Sequence, residues 1–167
     1  RGKRQCGFVG DALHCQSFYE RFAALEEMTA FLNLPPVRPF SILDNEYSYL
    51  EAGEKDYPAL IGRRVREMAP NFPEVFLCSN DFVAVLVLQA LRTLGLRIPE
   101  DICLCGFDDM PESRLISPQL TTVHIHSQIM GVTACHLLTG RIRHPEFEYV
   151  TAIAETDLLF RASTGDA

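Results

Sequence analysis

Short apolar runs alternate with helix-periodic segments from Gln5 to Phe107, and this alternation limits the possible folds more than any other feature of the chain. Gln5 to Val9 is a short, mostly apolar run closed by Gly10, and it reads as a buried strand. Phe18, Phe22, Leu25, Met28 and Leu32 then recur at steps of four and three, the period of an amphipathic helix, until Pro35-Pro36 stops it. Phe40 to Leu43 reads as a second strand. A second helix follows, with Asp56 as N-cap, Pro58 in its first turn, an apolar face of Ile61, Val65 and Met68, and Pro70 as its stop. Val75 to Cys78 is a strand, Asp81 to Leu94 a helix closed by Gly95, and Ile102 to Phe107 a strand again. The order β-α-β-α-β-α-β predicts an α/β fold, a doubly wound, Rossmann-like parallel sheet with right-handed crossovers. Such sheets bind ligands beyond the carboxyl ends of their strands. Asp11 to Ser17, Asp44 to Tyr47, Ser79-Asn80-Asp81 and Asp108-Asp109 follow the four strands and so converge on one edge.

Composition narrows the function. The 167 residues hold 15 Lys+Arg against 22 Asp+Glu, a net charge of −7, and 47% are hydrophobic. That balance supports a packed core, and the acidic excess opposes a phosphate backbone, so any DNA contact is expected from outside this chain. The longest uninterrupted apolar run, Phe82 to Leu88, is too short to span a bilayer. The basic start, Arg1 to Gln5, precedes an apolar stretch shorter than that of a signal peptide. Cys6, Cys15, Cys78, Cys103, Cys105 and Cys135 show neither metal nor redox spacing and read as small hydrophobes in a reducing compartment. A cytoplasmic protein with no membrane contact is the expectation.

Helix Asp81 to Leu94 is apolar almost all round, whereas a helix lying on one face of a sheet needs only a stripe. Either a thick core or a second subunit covers its outer side, where Val85, Leu88 and Gln89 fall. After Pro118 the pattern changes to an alternating strand, Thr121 to His126, then a helix from Ser127 to about Leu138. Strand-like runs lie near Tyr149 to Ala154 and Leu158 to Arg161.

Phe76-Leu77-Cys78-Ser79-Asn80-Asp81, Leu94 to Ile102, Gly106-Phe107-Asp108-Asp109, Pro118 to Val123, Gly131 and Arg161-Ala162-Ser163-Thr164 occur in an order that resembles the effector-binding domain of the LacI and purine-repressor family of transcription regulators. Gly7 to Gly10 and Ser17 to Leu25 resemble the first strand and helix of that domain's C-terminal lobe, with Ala24 where the family has Gly. The resemblance implies a periplasmic-binding-protein-like (type I) fold. Residues 1–117 would form the C-terminal lobe, 118–145 would cross to an N-terminal lobe, and 146–167 would return. The strand around Thr122 to Ile125 would then lack its sheet partners.

The resemblance also implies the site. Arg21 matches the family's effector-gripping Arg, although alone it reads as a surface side chain paired with Glu20 or Glu26. Asn80 offers a donor and an acceptor to a ligand, or caps the helix it precedes. Asp108 is the expected acceptor of ligand hydroxyls, and Asp109 the structural neighbour. Tyr47, with Tyr49 as the other register, resembles the aromatic that stacks on the effector. His14 and Ser17 lie in the first loop. His124 and His126 project to one face but lack a third ligand at metal spacing, so no metal is expected. No cofactor is expected either, since a Walker motif, a phosphate-binding Gly-rich loop and a nucleophile elbow are all lacking.

These readings predict a non-enzymatic, effector-binding part of a LacI-type repressor. Its ligand would be a sugar or nucleoside-like molecule, and operator DNA would be bound only through an N-terminal headpiece. A homodimer is expected through Val85, Leu88, Gln89 and Leu115. The alternatives are a periplasmic-type sugar-binding transport or chemotaxis receptor, and an enzyme using Asp108 as a base.

Overall fold

The computed structural model describes residues 2–43 and 57–165. Strands β1 (Cys6–Val9), β2 (Val75–Cys78) and β3 (Cys103–Cys105) form a parallel sheet in the order β1-β2-β3, with Phe8 beside Leu77 and Leu77 beside Cys105. Between them run α1 (Gln16–Phe31), α2 (Tyr57–Glu67) and α3 (Asp81–Thr93). The expected strand from Phe40 to Leu43 shrinks to one parallel bridge, Ile42 against Val9. Phe40 is taken into a 3-10 turn over Arg38–Phe40, which Pro39 favours, and at Ser41 the Phe8 N–H is met by the side-chain hydroxyl rather than by a ladder carbonyl.

Both faces of the sheet are covered. Phe76, Cys78 and Leu104 pack on one side against α2 and α3, while Phe8 on the other meets Phe22 of α1 at 5.4 Å between ring centroids. The inward stripe of α1 is Phe22, Leu25 and Thr29. Thr29 is buried because its hydroxyl donates to the Leu25 and Glu26 carbonyls of its own helix, and the expected Met28 and Leu32 are exposed. Asp56, the expected cap of α2, lies outside the described residues.

The all-round apolarity of α3 has an internal cause. Tyr57, Leu60, Ile61 and Val65 of α2 join the buried cluster that surrounds α3, so the chain itself supplies the second cover. Leu88, expected on the outer side, is 2% exposed and belongs to this core. Val85 is half-buried, whereas Gln89 and Leu115, the latter at the end of α4 (Glu112–Leu115), are exposed.

The strand around Thr122 to Ile125 finds partners within this chain. β4 (Thr122–Ile125) pairs antiparallel with β5 (Thr156–Leu159), while Thr121 bridges Cys105 and His124 bridges Asp108 in parallel, extending the main sheet. β5 starts two residues earlier than the run read from Leu158, and no strand forms over 149–154. Between β4 and β5, α5 (Ser127–Arg143) runs five residues past Leu138 and buries none of its residues.

Candidate functional site

Parallel pairing places the residues after β1, β2 and β3 on one edge. Past β1, Gly10 takes φ +148, and a Cβ there would sit 2.3 Å from Ser79 Oγ, so only glycine lets the two strand ends approach. The next residue, Asp11, folds its loop back by accepting the Leu13 N–H at 2.9 Å. That turn presents His14 and starts α1, which carries Phe18 and Arg21 along the same edge.

Arg21 does not form the surface pair that its sequence neighbours suggested. Glu26 pairs with Arg38 at 2.8 Å and Glu20 accepts from Gln16 at 2.9 Å. The Arg21 guanidinium lies 3.7 Å over the Phe107 ring, donates through Nη1 to the Ser79 carbonyl, and reaches Asp108 Oδ1 through Nη2 at 3.4 Å. Burial lowers the Arg21 pKa against the pull of Asp108, and burial raises the Asp108 pKa against the pull of Arg21. On each partner desolvation outweighs a long ion pair.

Asn80 caps α3, its Oδ1 accepting from the Val83 N–H at 2.9 Å. The cap occupies the oxygen, and the amide nitrogen is the group left to donate to a ligand. Asp81, the first residue of α3, is 1% exposed, accepting from Thr122 Oγ1 at 2.6 Å and the Met110 N–H at 2.8 Å. Its carboxyl is pushed up by burial, and those two hydrogen bonds oppose the rise. A cavity of about 230 Å³ opens beside these groups, lined by Asp11, His14, Phe18, Tyr57, Asn80 and Val83.

Asp109 turns the other way from Asp108. Its side chain is fully buried and accepts from Arg161 at 2.6 Å, from Arg114, and from His124 Nδ1 at 3.0 Å. Burial raises its pKa, but the hydrogen bonds from Arg114 and Arg161 prevail and hold it at about 2. Arg161 also donates to Ser113 Oγ, and Ser163 Oγ donates to the Leu104 carbonyl while accepting the Thr121 N–H. The Arg161-Ala162-Ser163-Thr164 run is therefore a clasp joining the C-terminal segment to β3 and β4.

The structure thus gathers Arg21, Asn80, Asp108 and His14 on one edge. Ser17 is exposed and sits 3.2 Å from Cys15 Sγ, and Tyr47 and Tyr49 lie outside the described residues. Asp11, Phe18, Tyr57 and Phe107 belong to the site but were not singled out. Asp11 and Phe107 could have been found from their strand-end positions, whereas Phe18 was absorbed into the apolar period of α1. His124 pairs with Asp109 and His126 Nε2 with Asp157 at 3.1 Å. No group of three His, Cys, Asp or Glu side chains among the described residues could hold a metal, and no described helix is long and apolar enough to cross a membrane.

A family model described as a periplasmic binding protein-like domain matches residues 1–164. The chain is similar to the ribose operon repressor of Haemophilus influenzae, 31% identical over 84% of this chain and 39% of the repressor. It is also similar to the purine repressor PurR of Pasteurella multocida, 36% identical over 54% of this chain and 27% of that protein. The chain spans under two fifths of the length of these curated relatives. Among solved structures, the regulator CelR in complex with cellobiose superposes with a TM-score of 0.82 at 23% identity, over 97% of this chain and 47% of CelR. The lac repressor dimer bound to operator and an anti-inducer gives 0.78 at 21% identity, over 98% of this chain and 53% of that one. At these identities the structural likeness shows the fold.

Proposed function

The chain belongs to the periplasmic binding protein-like domain family, and from that premise we propose that it is the effector-binding lobe of a LacI-type transcription regulator. The observation that carries this reading is the half-buried Arg21–Asp108 pair, stacked on Phe107 and set beside the cavity at the strand ends. Asp108 accepts two hydroxyl hydrogens, Arg21 and the Asn80 amide donate, and Phe18 and Tyr57 supply an apolar wall. His14 lines the cavity, and the family resemblance adds Ser17 and an aromatic, Tyr47 or Tyr49, as further ligand contacts.

Residues 1–117 form this lobe, 118–145 cross to a second lobe, and 146–167 return. The exposed α5 supports that division, since Ile129, Met130, Leu138 and Ile142 stand uncovered in the single chain. Ligand held between lobes favours one lobe arrangement, which alters the spacing of DNA-binding headpieces in a homodimer. Leu115 and Gln89, with Val85 beside them, form the subunit surface. Repressor relatives above 30% identity favour a cytoplasmic regulator over a transport receptor and over an enzyme.

Calorimetry with a panel of sugars and nucleosides tests the reading. A longer form of the protein carrying the second lobe is expected to bind its effector at least ~100-fold more tightly than the 167-residue chain, because a one-lobed cleft loses most ligand burial. Equal affinities would refute the two-lobed site.

A further inference from the structure

We propose that Asp81 is the positioning residue of the Arg21–Asp108 pair: it makes no hydrogen bond to either side chain, yet it ties together the two turns that hold Arg21. The inference rests on the effector-binding reading above for what the pair does, but not for how the pair is held. Arg21 is received by groups from two turns. The Ser79 carbonyl follows β2, while the Phe107 ring at 3.7 Å and Asp108 Oδ1 at 3.4 Å follow β3. Asp81 stands two residues after Ser79 and grips the second turn at both ends. Its N–H donates to the Phe107 carbonyl at 2.8 Å, and its Oδ2 accepts the Met110 N–H at 2.8 Å. Asp108 and Asp109 lie inside that grip.

Those two residues need holding. Asp108 has φ +108 and Asp109 φ +53, successive positive-φ conformations without a glycine, which persist only where the surroundings over-determine them. Asp81 acts on them by a second route. Its Oδ1 accepts from Thr122 Oγ1 at 2.6 Å, and the same Thr122 oxygen accepts the Asp109 N–H at 3.3 Å. The Asp81 carboxylate enters the turn only because residue 106 is glycine, since a Cβ there would lie 2.1 Å from Oδ1. At 3.4 Å the Arg21–Asp108 contact is already long for a charge-assisted hydrogen bond, so a small rotation of the turn breaks it. Asp81 and Thr122 are both buried, and an effect of either on binding therefore passes through the groups that the turn presents.

The test separates positioning from plain stabilisation by NMR of the 167-residue chain. Thr122→Val nearly keeps the side-chain shape and leaves the Asp81 carboxylate in place, but removes the hydroxyl that links Asp81 to the Asp109 N–H. Thr122→Ser restores that hydroxyl. The signature is the Arg21 guanidinium, whose resonances carry the ring-current shift of Phe107 and whose Nη protons exchange slowly while bonded. In Thr122→Val it is expected to move to that of a solvated arginine, and in Thr122→Ser to stay with the parent. Methyl signals of Leu88 and Leu91 in the core should hold in all three, so that a lost signature reports the turn and not unfolding. Asp81→Asn turns one acceptor into a donor, should give the same loss, and serves if Thr122→Val fails to fold.

The same samples are titrated with ribose, glucose, galactose and uridine to about 50 mM, fivefold above a ~10 mM Kd. Whichever of them binds the parent is expected to bind Thr122→Val and Asp81→Asn at least ~10-fold more weakly, the loss of one hydrogen bond to a charged group. Thr122→Ser should bind within about twofold of the parent. An Arg21 signature unchanged in both Thr122→Val and Asp81→Asn overturns the positioning role and leaves the effector reading standing. A signature lost equally in Thr122→Ser overturns it too, because the hydroxyl would then not be the link. A signature lost in Thr122→Val and Asp81→Asn alone, in a protein whose parent binds none of the four, upholds the positioning and overturns the effector reading.

Discussion

Replacing Asp109 by Asn tests whether one buried carboxylate holds the C-terminal segment, through Arg161, against β3 and β4. The Asp109 carboxyl lies at about 2 where the ordinary value is 3.8. At about 1.4 kcal/mol per unit, the shift corresponds to about 2 kcal/mol of folding stability. The folded-state pKa is depressed, so this stabilisation is complete above about pH 4 and disappears as pH falls through about 2. Asp81 and Asp108, pushed up by burial, act with the opposite sign, since their protonation favours the folded chain. Those contributions are common to parent and variant and cancel in the difference. Urea unfolding followed by circular dichroism from pH 7 to pH 2 is expected to show Asp109→Asn less stable by at least ~2 kcal/mol at pH 7. The excess over linkage comes from Arg161, whose nearly buried guanidinium loses its counter-charge. The gap should close by about 2 kcal/mol between pH 4 and pH 2. A gap that stays constant across that window refutes the argument.

Asn80→Ala should lower stability by about 1 kcal/mol through the lost cap of α3 and also weaken effector binding. Asn80→Asp keeps the cap but deletes the amide donor, so calorimetry should show weaker binding with an unchanged melting temperature. Gly106→Ala would bring a Cβ to 2.1 Å from Asp81 Oδ1 and 2.8 Å from Leu120 Cδ2, and should cost about 1–3 kcal/mol or more in thermal unfolding. Leu88→Ala should cost about 2–5 kcal/mol as a core truncation. By contrast, Leu115→Asp should leave the melting temperature intact and lower the sedimentation mass to that of a monomer; an unchanged dimer would remove Leu115 from the subunit surface.

Strands and helices with strong periodicity were legible because the hydrophobic pattern and the stop signals agreed, as for Val75 to Cys78 and the helix after it. The strand over Phe40 to Leu43 is shorter than its three apolar residues suggest, because the turn that Pro39 favours takes in Phe40. For α3 the sequence leaves a thick core and a second subunit equally open. Periodicity reveals that both sides of a helix are apolar, but which element fills the outer side depends on chain geometry, and α2 returns to fill it. In the site, Arg21 was legible only through the resemblance, because its partners Ser79, Phe107 and Asp108 are 58 to 87 positions away. Asn80 gave two readings from sequence, and the structure uses its oxygen for one while leaving its nitrogen for the other.

Helix α5 extends this reasoning from sequence to dynamics. It has no buried residue and no side-chain N-cap, and it contains Gly131 and Gly140, each costing about 1 kcal/mol relative to Ala. A helix of this length without a packed face is marginal in water, since most helical stability in proteins comes from tertiary burial. Its side chains nevertheless include Ile129, Met130, Val132, Leu137, Leu138 and Ile142, an apolar content that a permanently solvated helix does not need. These two facts are compatible when α5 docks on the proposed second lobe. In the 167-residue chain, amide hydrogen exchange over Ser127–Arg143 is expected to run near unprotected rates, while Val83 to Leu91 of α3 exchange only with global unfolding. In a longer form carrying the second lobe, protection of α5 should rise toward that of α3. Equal protection of α5 and α3 in the short chain would show that α5 is stabilised locally, and the case for a second lobe resting on it would then lose its support.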